Sequence, residues 1–94
     1  MKTVVVSIRD VKGETYAQPW FTHTAAVAVR HFTDIVNNPE KGGTIYSHPE
    51  DFQLYEIGIW DDIDGKIYSH DIPKHLVSAA SVKKEKLHDS IAAV

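Results

Sequence analysis

From Thr3 to Arg9 the chain alternates, with Val4, Val6 and Ile8 pointing to one side and Thr3, Val5, Ser7 and Arg9 to the other. Both sides carry apolar or β-branched groups, which predicts a central strand. Residues 10–21 break the pattern. Gly13 suits a turn and Pro19 forbids regular continuation, so this stretch predicts a long loop or a short irregular strand, aromatic from Tyr16 to Phe21. Apolar positions then recur at steps of three and four: Ala25, Ala28, Val29, Phe32 and Val36, with Ile35 widening the stripe. The spacing predicts the main helix over 24–37, capped by Thr22 or Thr24 and stopped by Asn37-Asn38-Pro39. Residues 39–51 read as loop, with a single helical turn at Ser47-His48-Pro49-Glu50-Asp51. A second strand is predicted over 52–60, with Tyr55, Ile57 and Ile59 on one face and Phe52, Leu54 and Trp60 on the other. Asp64-Gly65 predicts a hairpin into a third strand, Ile67–His70, which Pro73 ends. A short helix fits 76–81, and 83–94 reads as a polar, mobile tail.

These elements predict one α+β domain over residues 1–82: a small, mostly antiparallel β-sheet of about three strands with one principal α-helix packed on one face, in the order β-loop-α-β-β. So few elements leave apolar surface uncovered, which predicts a homodimer. The 94 residues suffice for one domain. The chain has no cysteine, which removes disulfides, thiol catalysis, zinc–thiolate sites and iron–sulfur clusters, and fits a reducing compartment. The apolar run after Met1 is too short for a signal peptide and no stretch reaches transmembrane length, so a soluble protein without a membrane partner is expected. The formal net charge of −3 argues against strong electrostatic binding of phosphates, although six histidines would reverse the sign below about pH 6.

Enzyme signatures are missing from the pattern. Aligning Gly65 with the glycine of an EF-hand loop places Trp60 at the first ligand position, so the Asp61-Asp62-Ile63-Asp64 run reads as an acidic hairpin turn. The histidines lack metal-ligand spacing, the serines lack a glycine-flanked elbow, and Lys41-Gly42-Gly43-Thr44 has the wrong order for a phosphate loop. Neither a catalytic site, nor a metal, nor a cofactor is expected. Binding of single-stranded nucleic acid needs aromatic platforms and a basic track. Tyr16, Trp20, Phe21, Tyr46, Tyr55 and Tyr68 are available as platforms, and Arg9, Lys12, Arg30, Lys41 and Lys66 as cations. Against this stands a structural reading in which Trp20, Phe21 and Phe32 are core and Tyr55 pairs with Tyr68 across strands.

Several of these segments, in this order, resemble the small nonstructural protein of gokushoviruses, single-stranded DNA phages of the Microviridae. They are the Pro19-Trp20-Phe21 loop end, the helix with Ala28, Arg30, Phe32, Thr33 and Asp34 leading to Val36-Asn37-Asn38-Pro39, then Ser47-His48-Pro49-Glu50-Asp51-Phe52, and Leu54-Tyr55-Glu56-Ile57-Gly58 before the acidic turn. The likeness spans residues 1–75. It implies a protein absent from the virion that acts in the host cytoplasm during genome replication, without catalytic residues. Together with the residues above, it leads to an expectation of non-catalytic binding of single-stranded DNA or replication intermediates by a homodimer. Tyr16, Trp20 and Phe21 would stack bases, and Arg9, Lys12 and Arg30 would meet phosphates. The alternative is an adaptor that engages a host or phage protein, which an acidic surface suits better.

Overall fold

The structure, a computed structural model, describes residues 1–84. Its hub is β1 (Lys2–Asp10). One edge of β1 pairs antiparallel with β4 (Phe52–Asp61), and β4 pairs with β5 (Lys66–Ser78). The other edge carries two short strands in tandem, β2 (Thr15–Tyr16) beside Arg9 and Asp10, and β3 (Trp20–Thr22) beside Val4 to Val6. The result is a five-stranded antiparallel sheet, not the expected three. The predicted loop at 10–21 thus contributes edge strands, because β1 offers a second row of backbone groups that must be paired. Ala17 N donates to Ile8 O, and the Ser7 hydroxyl donates to Ala17 O, so even the link between β2 and β3 is tied to β1.

The main helix forms where expected, as α1 (Ala25–Val36). Thr24 caps it, its hydroxyl accepting from Val27 N, and Asn37 ends it. The helix is not alone. Short helices α2 (Pro39–Gly42), α3 (Thr44–Ser47) and α4 (Ala79–Val82), with a 3-10 turn at Pro49–Asp51, join it in one layer. Their start signals are local: Asn38 caps α2 by accepting from Glu40 N and Lys41 N, and Pro39 and Pro49 open their elements. This layer covers one face of the sheet. Val6, Ile8, Phe52 and Leu54 pack there on Ala28, Phe32, Val36 and Ala79, and Val4, Trp20 and Leu76 border the cluster. No helix among the described residues is long and apolar enough to cross a membrane.

Two irregularities change the predicted faces. The β1–β4 register shifts between Val5 and Val6, so Val5 opposes Gly58 while Val6 opposes Glu56. The extra residue flips the end of β4: Trp60 joins Tyr55 on one face, and Ile59 moves to the side of Leu54, the reverse of strict alternation. In the β4–β5 ladder, Glu56 pairs with Lys74 but Gly58 pairs with Ser69, leaving 70–73 as a wide bulge. Pro73 sits in that bulge on the outer strand, where it costs no ladder bond, and β5 continues past it to Ser78 instead of ending. Of the expected helix over 76–81 only 79–81 is helical, within α4, which runs on to Val82. Of the predicted tail, Lys83 and Lys84 are anchored: Lys83 Nζ donates to Val36 O and Tyr46 O and lies 3.2 Å from the Tyr46 ring centre, and Lys84 N donates to Asn37 Oδ1. The rest of that tail lies outside the described residues.

Candidate nucleic-acid interface

The face of the sheet opposite the helices carries Tyr16, Phe21, Tyr55, Trp60 and His75. Strand pairing decides which side chains share it. Arg9 opposes Tyr16 on one side and Gln53 on the other; Ser7 opposes Tyr55, Tyr55 opposes His75, and Gln53 opposes Ser78. Tyr16 and Tyr55 meet edge to face with ring centres 5.7 Å apart, and Tyr55 meets His75 the same way at 5.3 Å. The Arg9 guanidinium lies 5.0 Å from the Tyr16 ring centre. Arg9, Tyr16, Tyr55 and His75 therefore form one row across four strands. Gln53 Oε1 fixes the far end, bonded at 2.6 Å to His75 Nε2 and accepting from Ser78 Oγ at 2.6 Å. Tyr16 is 43% exposed, so ring surface is open to solvent. A row of rings with one cation stacked against the edge-strand ring, Tyr16, offers π faces and a phosphate partner together.

Further along the same face, Phe21 meets Trp60 edge to face at 6.2 Å. Thr3, Phe21, Trp60 and Ile67 line an open, mostly apolar groove of about 440 Å³. This end projects toward the β4–β5 turn, whose residues Asp61, Asp62 and Asp64 are acidic. The turn is internally bonded: Asp62 pairs with the Met1 amino group, Asp61 accepts from Ile63 N, and Asp64 accepts from Lys66 N and the Tyr68 hydroxyl. That bond, with the charges of Asp64 and Asp61, holds the Tyr68 phenol above the ordinary tyrosine range.

The structure thus divides the six residues singled out from sequence. Arg9, Tyr16 and Phe21 share the open face. Lys12 is exposed in the turn joining β1 to β2, at the Arg9 end. Trp20 opposes Val6 and packs against the core on the helix side, and exposed Arg30 lies on α1 in the other layer. Tyr55, Gln53, His75 and Trp60 are the members that the six omitted. Tyr55 lies opposite His75, not Tyr68, whose partner is Ile59. The signal for Tyr55 was present in its alternation with Leu54, but no sequence signal placed His75 across from it, because register shifts on both sides, at Leu76 and at 70–73, set that pairing. Among the described residues, His48, Glu50 and Asp51 bring ligand-type atoms within 4.8 Å of one another, around an exposed His48–Glu50 contact of 3.6 Å.

A family described as Phage ORF5 protein matches residues 3–82, and the chain belongs to that family. No curated protein and no solved structure matches the chain.

Proposed function

Starting from membership of this phage family, we propose that the protein is a gokushovirus-type nonstructural protein of the Microviridae that acts in viral DNA replication by binding single-stranded DNA without turnover. Its place of action in this reading is the host cytoplasm, outside the virion, and its working form is a homodimer. The observation that supports the reading is the row Arg9–Tyr16–Tyr55–His75 on a sheet face that no helix of the described residues covers. Bases stack on exposed rings regardless of sequence, and Arg9 meets the backbone beside Tyr16. The edge-to-face rings leave π surface accessible instead of consuming it in parallel stacks.

The test is fluorescence anisotropy of a labelled single-stranded oligonucleotide at low and moderate salt. Tyr55→Ala should weaken binding about tenfold, within the 1–3 kcal/mol a stacked base is worth. Arg9→Ala should weaken binding and flatten its salt dependence, whereas Arg30→Ala, on the opposite layer, should change neither. No saturable binding by folded protein removes this function.

A second reading, an adaptor for a host or phage protein, draws on the net charge of −3. Capture of a defined protein partner by a form that binds no DNA would establish it.

A further inference from the structure

The groove at the Phe21 end of the open face is separate from the aromatic row, and it has its own chemistry. Its walls are the Phe21, Trp60 and Ile67 side chains with Thr3 beside them, and Phe21 and Ile67 are each about half exposed. The turn beside it is acidic, with Asp62 already paired with the amino terminus, and Lys2 and Lys66 lie across from Asp61 in the ladders, so those cations face a carboxylate. A phosphate is not favoured there; a flat uncharged ring is. The four lining residues are also far too few for a stable dimer interface, which needs roughly 800 Å² from each partner. The open groove of about 440 Å³ has room for a planar ring laid against the edge-to-face Phe21–Trp60 pair and Ile67. It also continues the proposed binding face. Tyr55 and Trp60 lie on the same strand and face, opposite Ser7 and Thr3 across the bulge, a span of about 13 Å at the rise of an extended strand.

We propose that the Thr3–Phe21–Trp60–Ile67 groove is a nucleobase pocket, which holds one unstacked base of a strand whose neighbouring bases lie on the Arg9–Tyr16–Tyr55–His75 row. This rests on the single-strand reading above and adds a second station to it. The base enters the groove while its phosphate stays in solvent, away from the acidic turn. Two stations about 13 Å apart are out of reach of a stacked dinucleotide, whose bases are about 3.4 Å apart. Affinity therefore rises in a step with oligonucleotide length.

The experiment is a series of thymidine oligonucleotides from two to eight residues, titrated into the full chain and followed by anisotropy and tryptophan emission. The chain has two tryptophans, so Trp20→Phe leaves Trp60 as the sole reporter. The expected result is a rise in affinity of about tenfold once both stations are spanned, accompanied by quenching of Trp60. Phe21→Ala and Trp60→Ala, each checked for an unchanged far-ultraviolet spectrum and melting curve, should abolish the step and leave the shortest ligands bound within about twofold of the parent. Oligonucleotide binding without a step, with Trp60 emission unchanged, overturns the pocket while leaving the platform standing. Absence of all oligonucleotide binding overturns both. A Trp60 signal that follows protein concentration and ignores DNA assigns the groove to a second copy and overturns the pocket.

Discussion

Glu56 is the residue whose position most constrains the sheet. It is 7% exposed, opposes Val6, and has its carboxylate bonded at 2.6 Å to His70 Nε2. His70 reaches it because the bulge at 70–73 breaks the β4–β5 ladder beside Glu56. Removing the imidazole strands a buried carboxylate, which costs more than the bond itself contributes. His70→Ala should therefore lower stability by about 2 kcal/mol in urea unfolding, and Glu56→Leu in the same chain should restore much of it. Equal loss in the single and double variants would show that His70 acts through packing alone. Tyr68 offers a pH-dependent readout at the same scale. Its phenol is held protonated by the bond to Asp64, so its folded value lies above the unfolded one. The associated stability is present below the ordinary tyrosine range and is lost as pH rises through the raised value. Asp64→Asn should bring the Tyr68 titration, followed by nuclear magnetic resonance of its ring, back toward lower pH.

At the scale of elements, Asn37 joins the end of α1 to the end of the described chain. Its Nδ2 donates to Thr33 O and Val82 O, and its Oδ1 accepts from Lys84 N. Asparagine was legible as a helix stop, but the partners 45 and 47 residues away were not. Asn37→Ala should destabilise the protein by about 1–3 kcal/mol, because partly buried polar partners lose their bonds, and should speed amide exchange at Lys84 selectively. The same division runs through the fold. The helix over 25–36 and the strands over 2–10 and 52–61 follow from hydrophobic period and caps, which are local. The strands at 15–16 and 20–22 do not, since they exist by pairing with β1, and Gly13 and Pro19 punctuate them. Pro73 misled for a related reason. In isolation it ends a strand, but in the sheet it occupies the outer strand's bulge, where its missing N–H has no cost. The bulge near Ile57 exchanged the faces of Ile59 and Trp60, and one extra residue has that consequence wherever the period is two.

At the scale of the whole molecule, one face of the sheet packs on the helices and the other does not, and the candidate site was half legible for that reason. Sequence identified aromatic and basic residues without assigning them to layers. Folding brings Arg9, Tyr16 and Phe21 onto the open face, and sends Trp20 to the core and Arg30 to the helix layer. This separation reconciles a net charge of −3 with a single-strand site, because binding would draw on rings more than on charge. The consequence is quantitative. In the proposed complex, Arg9 on the face and exposed Lys12 at its end are the cations beside a strand lying along the row, so about two phosphates would be neutralised. Each contributes a slope of about −0.7 for single strands, which gives roughly −1.4 in the logarithm of affinity against the logarithm of salt concentration. Arg9→Ala should reduce the slope by about 0.7, and Tyr55→Ala should lower affinity with the slope unchanged. A measured slope several times steeper would mean that the strand follows cations elsewhere, on the helix layer with Arg30 and Lys41, and would move the interface to the other side of the molecule.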